Sequence, residues 1–141
     1  MHSILIPVDG SKHARRALKY AIASIKEGLK AEVHVISVQP DVLPIGDLPI
    51  MDIDMIEKGQ QEQARKVIRS ACRLLKNAGI SYTKNISRGP IANNIVSYAK
   101  VHRCDSIIMG TRGMGLIGSV ILGSTSNQVV RLAKIPVTLV K

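Results

Sequence analysis

The strongest claim to chemistry in this chain lies in a run of glycines. Residues 110–125 read Gly110-Thr-Arg-Gly-Met-Gly-Leu-Ile-Gly-Ser-Val-Ile-Leu-Gly-Ser-Thr125. Glycine lets backbone N–H groups approach an anion closely, so such a segment suits phosphate binding. Gly113, Gly115 and Gly118 match GxGxxG. A dinucleotide fingerprint also needs an acid about 20 residues further on to hold the ribose. No Asp or Glu follows Asp105, so the NAD reading is rejected. A Walker A loop needs Gly-Lys-Ser/Thr, and the chain has no Gly-Lys pair. A nucleophile elbow needs GxSxG, which is also missing.

Other constellations are weaker. Asp9, Ser11 and His13 lie close in sequence, but a triad is defined by spatial roles and Ser11 reads better as a helix N-cap. Asp52 and Asp54 form a DxD, which acids at a helix start explain. The four histidines are scattered, and Cys72 and Cys104 form no CxxC. Both cysteines read as buried, reduced thiols. What survives is a phosphate cradle just before a helix. Gly123, Ser124 and Thr125 would present N–H groups and the positive end of the dipole there, and Arg112 would add charge. Simple capping by Ser124 or Thr125 is the competing explanation.

The elements that must position these residues follow from periodicity. Ile4 to Val8 is a continuous apolar run, which suits a strand buried on both faces. Asp9, Gly10 and Ser11 make a turn. A helix comes next, with Ala14, Ala17, Leu18, Ala21, Ile22 and Ile25 on one face, ending at Gly28. Val33 to Val38 is the second strand. Residues 39–53 contain three prolines and Gly46, show no period and read as a long loop. Asp54 and Glu57 resemble a capping pair for a helix that runs to Gly79. Tyr82 to Ile86 is a more polar third strand, suited to a sheet edge. Pro90 fits the first turn of a helix with Ile91, Ile95 and Ala99 inside. Ser106 to Met109 is the fourth strand, Val129, Val130 and Ala133 mark a last helix, and Pro136 to Val140 is the fifth strand. This alternation predicts an α/β fold, a parallel sheet with helices on both faces. Ligands of such sheets bind beyond the carboxyl ends of strands, where strand order reverses. Asp9 and the glycine segment both come directly after strands.

Composition bounds the rest. The 141 residues suit one domain, expected over 1–141, and 45% are hydrophobic. Three Tyr and no Phe or Trp leave few platforms for stacking bases. The net charge is +10, and five of the ten acids lie between Asp41 and Glu57. A surplus this large attracts polyanions without specifying one. No signal peptide and no apolar run of membrane-spanning length is visible, so the expected location is the cytoplasm.

The spacing Gly110-x-x-Gly113, nine residues, then Gly123-Ser124 resembles the nucleotide-binding signature of the ATP-binding branch of universal stress proteins. The likeness covers the whole chain: Ile4-Leu-Ile-Pro-Val-Asp-Gly-Ser11, Gly89-Pro90, Ile95, Tyr98-Ala99, Asp105, Ile108-Met-Gly-Thr-Arg-Gly113 and Ile135-Pro-Val137 match in kind and order. It implies a single doubly wound domain whose five parallel strands run in the order 3-2-1-4-5. It also implies roles. Pro7, Val8 and Asp9 would lie against the adenosine side, with Asp9 near the ribose or a phosphate-bound Mg²⁺. Val38 would meet adenine through its backbone. Met109 and Gly110 would pack under the nucleotide, and Arg112, Gly113, Gly123, Ser124 and Thr125 would cradle phosphates. The loop 39–53 would be a partial lid. The resemblance further implies a homodimer through the last strand. The basic charge is unlike many relatives and leaves room for an anionic partner beyond ATP.

The expected function is therefore ATP or adenine-nucleotide binding in a stress response. Hydrolysis is expected to be slow, because Asp9 is the only acid near the phosphates to serve as a base. Two other functions compete with it. One is a nucleotide hydrolase or an autokinase acting on Ser124 or Thr125, using Asp9 and a metal. The other is charge-driven binding of nucleic acid or another polyanion.

Overall fold

In the computed structural model, which describes residues 1–43, 46, 50–112 and 122–141, strands and helices alternate along the chain. They are β1 (His2–Pro7), α1 (Lys12–Lys26), β2 (Ala31–Gln39), α2 (Ile50–Asn77), β3 (Tyr82–Arg88), α3 (Ile91–Val101), β4 (Ser106–Gly110), α4 (Ser124–Leu132) and β5 (Val137–Val140). The five strands form one sheet in the order β3-β2-β1-β4-β5. Every pairing is parallel, with Ile4 opposite both Val33 and Ser106. The fold class and strand order are those expected.

Position in the sheet explains the composition of each strand. β1 lies between two neighbours and under helices on both faces, so five of its six residues are buried. β3 is an edge strand and carries exposed Thr83 and Lys84. Two cores result. On one face, Ile4, Ile6, Val33 and Val35 meet Ala17, Leu18 and Ala21 of α1 and Ile68, Ala71 and Leu75 of α2. On the other, Leu5, Ile36, Ile107 and Met109 meet Ala92, Ile95 and Ala99 of α3 and Val129 of α4. The period of two along each strand sends its residues to alternate cores. The buried His34 is accommodated by a 3.0 Å hydrogen bond between its Nδ1 and the Tyr98 hydroxyl.

Several boundaries differ from the sequence reading. α2 begins at Ile50, so residues 50–53 of the expected loop belong to the helix. A helix can start directly after a proline, because its first N–H groups have no intrahelical partner to lose. Asp52 then sits in the first turn, where the dipole favours an acid. Asp54 falls beyond that turn and does not cap. Residues 44, 45 and 47–49 of the expected lid lie outside the described residues. Pro90 is the N-cap of α3 rather than a first-turn residue. Val129 is fully buried, whereas Val130 is exposed and Ala133 is the extended C-cap of α4.

Both cysteines are free and buried. Burial pushes the Cys72 thiol up, partly offset by its hydrogen bond to Tyr82 and by Lys84. Burial also pushes Cys104 up, with the neighbouring Ser3 opposing and Asp105 and Glu32 adding. The neutral thiols are favoured in the folded state. Stability should therefore fall as pH climbs past the ordinary thiol pKa of about 8.5, where the unfolded chain sheds protons first. Reaction with a disulfide reagent at pH 8 should be at least about tenfold slower in native protein than in urea. Equal rates would show that the thiols are accessible and ordinary.

Candidate functional site

The site forms where strand order reverses. The chain builds β1, β2 and β3 in one direction and then crosses back to place β4 beside β1. The connections leaving β1 and β4 therefore part at their carboxyl ends, opening a crevice. Pro7, Val8 and Asp9 line it from β1 and the turn beyond, and Ile36 and Val38 from β2. Met109 and Gly110 line it from β4 and Arg112 from just beyond that strand, with Ile91 and Ile95 from α3 and Thr125 and Ser126 from α4.

Local hydrogen bonds fix these walls. The Val8 N–H donates to the Ile36 carbonyl at 2.8 Å, holding the end of β1 to β2. The Ser11 N–H donates to Asp9 Oδ1 at 2.9 Å, which sets the exposed carboxylate in an Asx turn. Gly10 takes φ +85°, a conformation that glycine adopts without a Cβ penalty. The Ser11 hydroxyl accepts from the Ala14 N–H at 3.1 Å and caps α1. That cap accounts for Ser11, and Asp9, Ser11 and His13 are not arranged as a triad.

The start of α4 is tied to β4. The Gly123 N–H donates to the Thr111 carbonyl at 2.7 Å, and the buried Ser126 hydroxyl donates to the Gly110 carbonyl at 2.9 Å. Gly123 is the N-cap and supplies no side-chain cap, so capping does not explain Ser124 or Thr125. Its own N–H is occupied and positions the helix. The donors left for an anion are the N–H groups of Ser124, Thr125 and Ser126 in the first turn. The positive end of the dipole reinforces them.

The geometry brings eight of the eleven expected residues to one crevice: Pro7, Val8, Asp9, Val38, Met109, Gly110, Arg112 and Thr125. Gly123 and Ser124 stand at its α4 rim, with Ser124 exposed. Gly113 lies outside the described residues. Sequence reasoning missed Ala14, Ile36, Ile91, Ile95 and Ser126. The i, i+4 pair Ile91 and Ile95 was legible as an inner helix face, but its partner was not, because only strand order brings α3 beside Val38. Ser126 is hidden as one more hydroxyl in a polar run.

Gly110 has a structural reason to be glycine. A Cβ there would stand 2.6 Å from the His13 carbonyl carbon and 2.9 Å from the Ala14 nitrogen. α1 thus packs directly on β4 beside the crevice. The free space in the crevice is about 80 Å³. Its base is apolar, from Ile36, Val38, Ile95 and Met109, while Asp9, Arg112 and Thr125 supply the polar groups. Such a division suits a ligand with one flat apolar part and one anionic part. Among the described residues, no three His, Cys, Asp or Glu side chains converge to hold a metal. No helix among them is long and apolar enough to cross a membrane.

Comparison with known proteins gives a consistent picture. The chain is 37% identical over 142 residues to a universal stress protein of Thermus aquaticus, covering 99% of this chain and 98% of that protein. It is 33% identical over 139 residues to one of Methanocaldococcus jannaschii, covering 98% and 81%. The fold superposes on that of a universal stress protein of Lactobacillus plantarum with a TM-score of 0.88 at 24% identity, covering 99% and 97%. It matches an Arabidopsis thaliana family protein described with AMP bound at TM-score 0.74 and 16% identity, covering 100% and 92%. A universal stress protein described in complex with cAMP matches at TM-score 0.70 and 22% identity, covering 99% and 97%. The model of the universal stress protein family matches residues 1–141. The chain therefore belongs to the universal stress protein family.

Proposed function

We propose that this chain binds an adenine nucleotide, with ATP and Mg²⁺ as the working ligand, in the crevice between β1 and β4. In this reading it is a cytoplasmic regulatory module of a stress response. The observation that carries it is convergence: residues far apart in sequence, from Asp9 to Thr125, line one crevice with an apolar base and a helix N-terminus at its rim. The AMP and cAMP described in two family structures support the ligand class.

The base lies against Val38, Ile91 and Ile95, the ribose near Asp9, and the phosphates near Arg112 and the first turn of α4. Mg²⁺ would arrive on the phosphates, with Asp9 the only carboxylate among the described lining residues. Hydrolysis is slow, because Asp9 is exposed and committed to its turn rather than sheltered beside an attacking water. A homodimer through β5 belongs to the same reading. The β5 edge, Val-Thr-Leu-Val over 137–140, carries no charge, whereas the β3 edge carries Lys84 and Arg88. Pairing two copies would cover the uncharged edge.

Thermal unfolding with and without Mg-ATP, AMP and cAMP tests the ligand. At 100 times Kd a ligand adds about 2.7 kcal/mol, and the midpoint should rise by roughly 10 °C. Asp9→Asn keeps an acceptor for the Ser11 N–H but removes the charge. It should leave the unliganded midpoint near wild type and reduce the Mg-ATP shift. No shift with any of the three at millimolar concentration would remove the nucleotide from this site.

A further inference from the structure

The chain has a second hollow, far larger than the crevice and built from other residues. It holds about 780 Å³ and runs between the C-terminal half of α2 and the first half of β3. Arg65, Arg69, Arg73 and Lys76 line one wall, Lys84 of the edge strand lines the other, and no acid lines it. The four α2 cations recur at spacings of four, four and three residues, which keeps them on one helix face. At 1.5 Å per residue they span about 16 Å.

Two features set this groove apart from an ordinary solvated helix face. The cations come from two elements and flank a concavity, so their fields add inside it. They are also largely uncompensated. Arg65 approaches Glu62 at 3.6 Å, and among the described residues none of the other four has an ion pair. Five of the ten acids in the chain fall between Asp41 and Glu57, ahead of this stretch of α2. The base of the groove is Ile68, Cys72, Tyr82 and Ile86, with Tyr82 the single aromatic. Lone edge-strand protection would explain Lys84, but not three arginines facing it across a hollow.

We infer that this groove binds a linear polyphosphate: a thin, flexible chain of closely spaced phosphates without bases. The arrangement favours a linear chain, because the α2 cations follow one another along a single helix face with Lys84 opposite them. The chemistry favours one without bases, because a single aromatic offers almost no stacking surface for a nucleic-acid strand. Arginines suit phosphate oxygens through paired N–H donors. The groove shares no residue with the crevice, so the two sites can be occupied together.

The test is binding of long-chain inorganic polyphosphate to the full chain, measured by calorimetry at low and moderate salt. Affinity should fall steeply with salt as condensed cations are released. Arg69→Glu with Arg73→Glu should weaken it at least about tenfold. Arg16→Glu with Lys19→Glu, an equal charge change at exposed positions on α1, should leave it within about threefold. Saturating Mg-ATP should not displace polyphosphate. Both double variants are checked for an unchanged fold by circular dichroism. Equal losses in the two would mean net charge alone attracts the anion, and displacement by Mg-ATP would mean polyphosphate occupies the crevice. Tighter binding of a single-stranded oligonucleotide or an acidic peptide would overturn the assignment in favour of that partner. Failure of nucleotide binding at the crevice would leave this result unaffected.

Discussion

Truncating Leu5 to alanine should cost about 2–5 kcal/mol of stability, among the largest single-residue effects expected in this fold. Leu5 is 0% exposed and sits in the central strand, opposite Ile107, which is equally buried. Both belong to the core under α3 and α4, with Ile36, Ile95 and Val129. The loss has two parts: the transfer free energy of the missing carbons, and a cavity that a central strand held on both sides cannot close. Urea unfolding would measure it as a lower midpoint with an unchanged slope. Ile107→Ala should cost a similar amount. The double variant should not be the sum, because the two residues share one neighbourhood. Val130→Ala, 43% exposed on α4, is the control and should change stability by less than about 0.5 kcal/mol. A Leu5→Ala loss no larger than the control would mean that this core is not tightly packed.

Gly110→Ala should also be damaging, at about 1–3 kcal/mol, although it adds only one methyl group. Its Cβ would meet the His13 carbonyl carbon at 2.6 Å, His13 Cβ at 2.7 Å and the Ala14 nitrogen at 2.9 Å. Two of these are backbone atoms in the first turn of α1, so no side chain can swing aside. Relief requires α1 to move off β4. That movement would carry along the Ser11 cap and the Asp9 turn, and would disturb the carbonyl that accepts from Ser126. Gly110→Ala should therefore lower the midpoint by roughly 5–10 °C and also weaken Mg-ATP binding. Gly10→Ala is an informative comparison. Its neighbour is the tip of Val67, at 3.1 Å, so its cost comes mainly from φ +85°. A neutral Gly110→Ala would show that α1 has freedom to shift, and would leave Gly110 as a residue needed only for a ligand.

Much of this architecture was legible locally. The apolar run at Ile4 to Val8, the helical spacing from Ala14 to Ile25 and the polar Tyr82 to Ile86 strand each report burial within one element. Burial in an element has a period of 2 or 3.6 that a short window contains. The Ser11 cap was legible for the same reason, since donor and acceptor lie three residues apart. The start of α2 was not. Prolines mask the onset of periodicity, and Asp54 with Glu57 imitates a capping pair that the helix does not use.

The sequence by itself determined which segments are strands and helices, which faces are apolar, and that glycines and hydroxyls come after the fourth strand. Resemblance to a family supplied the strand order and the candidate residues beyond Asp9, Arg112, Gly123, Ser124 and Thr125. Only the tertiary structure decided what those residues touch. The return crossing from β3 to β4 brings Asp9, Val38, Met109 and Thr125 to one crevice, and the approach of α1 requires glycine at position 110. It also commits the Gly123 N–H to Thr111 and sets Lys84 across a groove from three arginines of α2. These are contacts between residues distant in sequence. Their energies depend on how whole elements pack, which no local pattern of residues encodes.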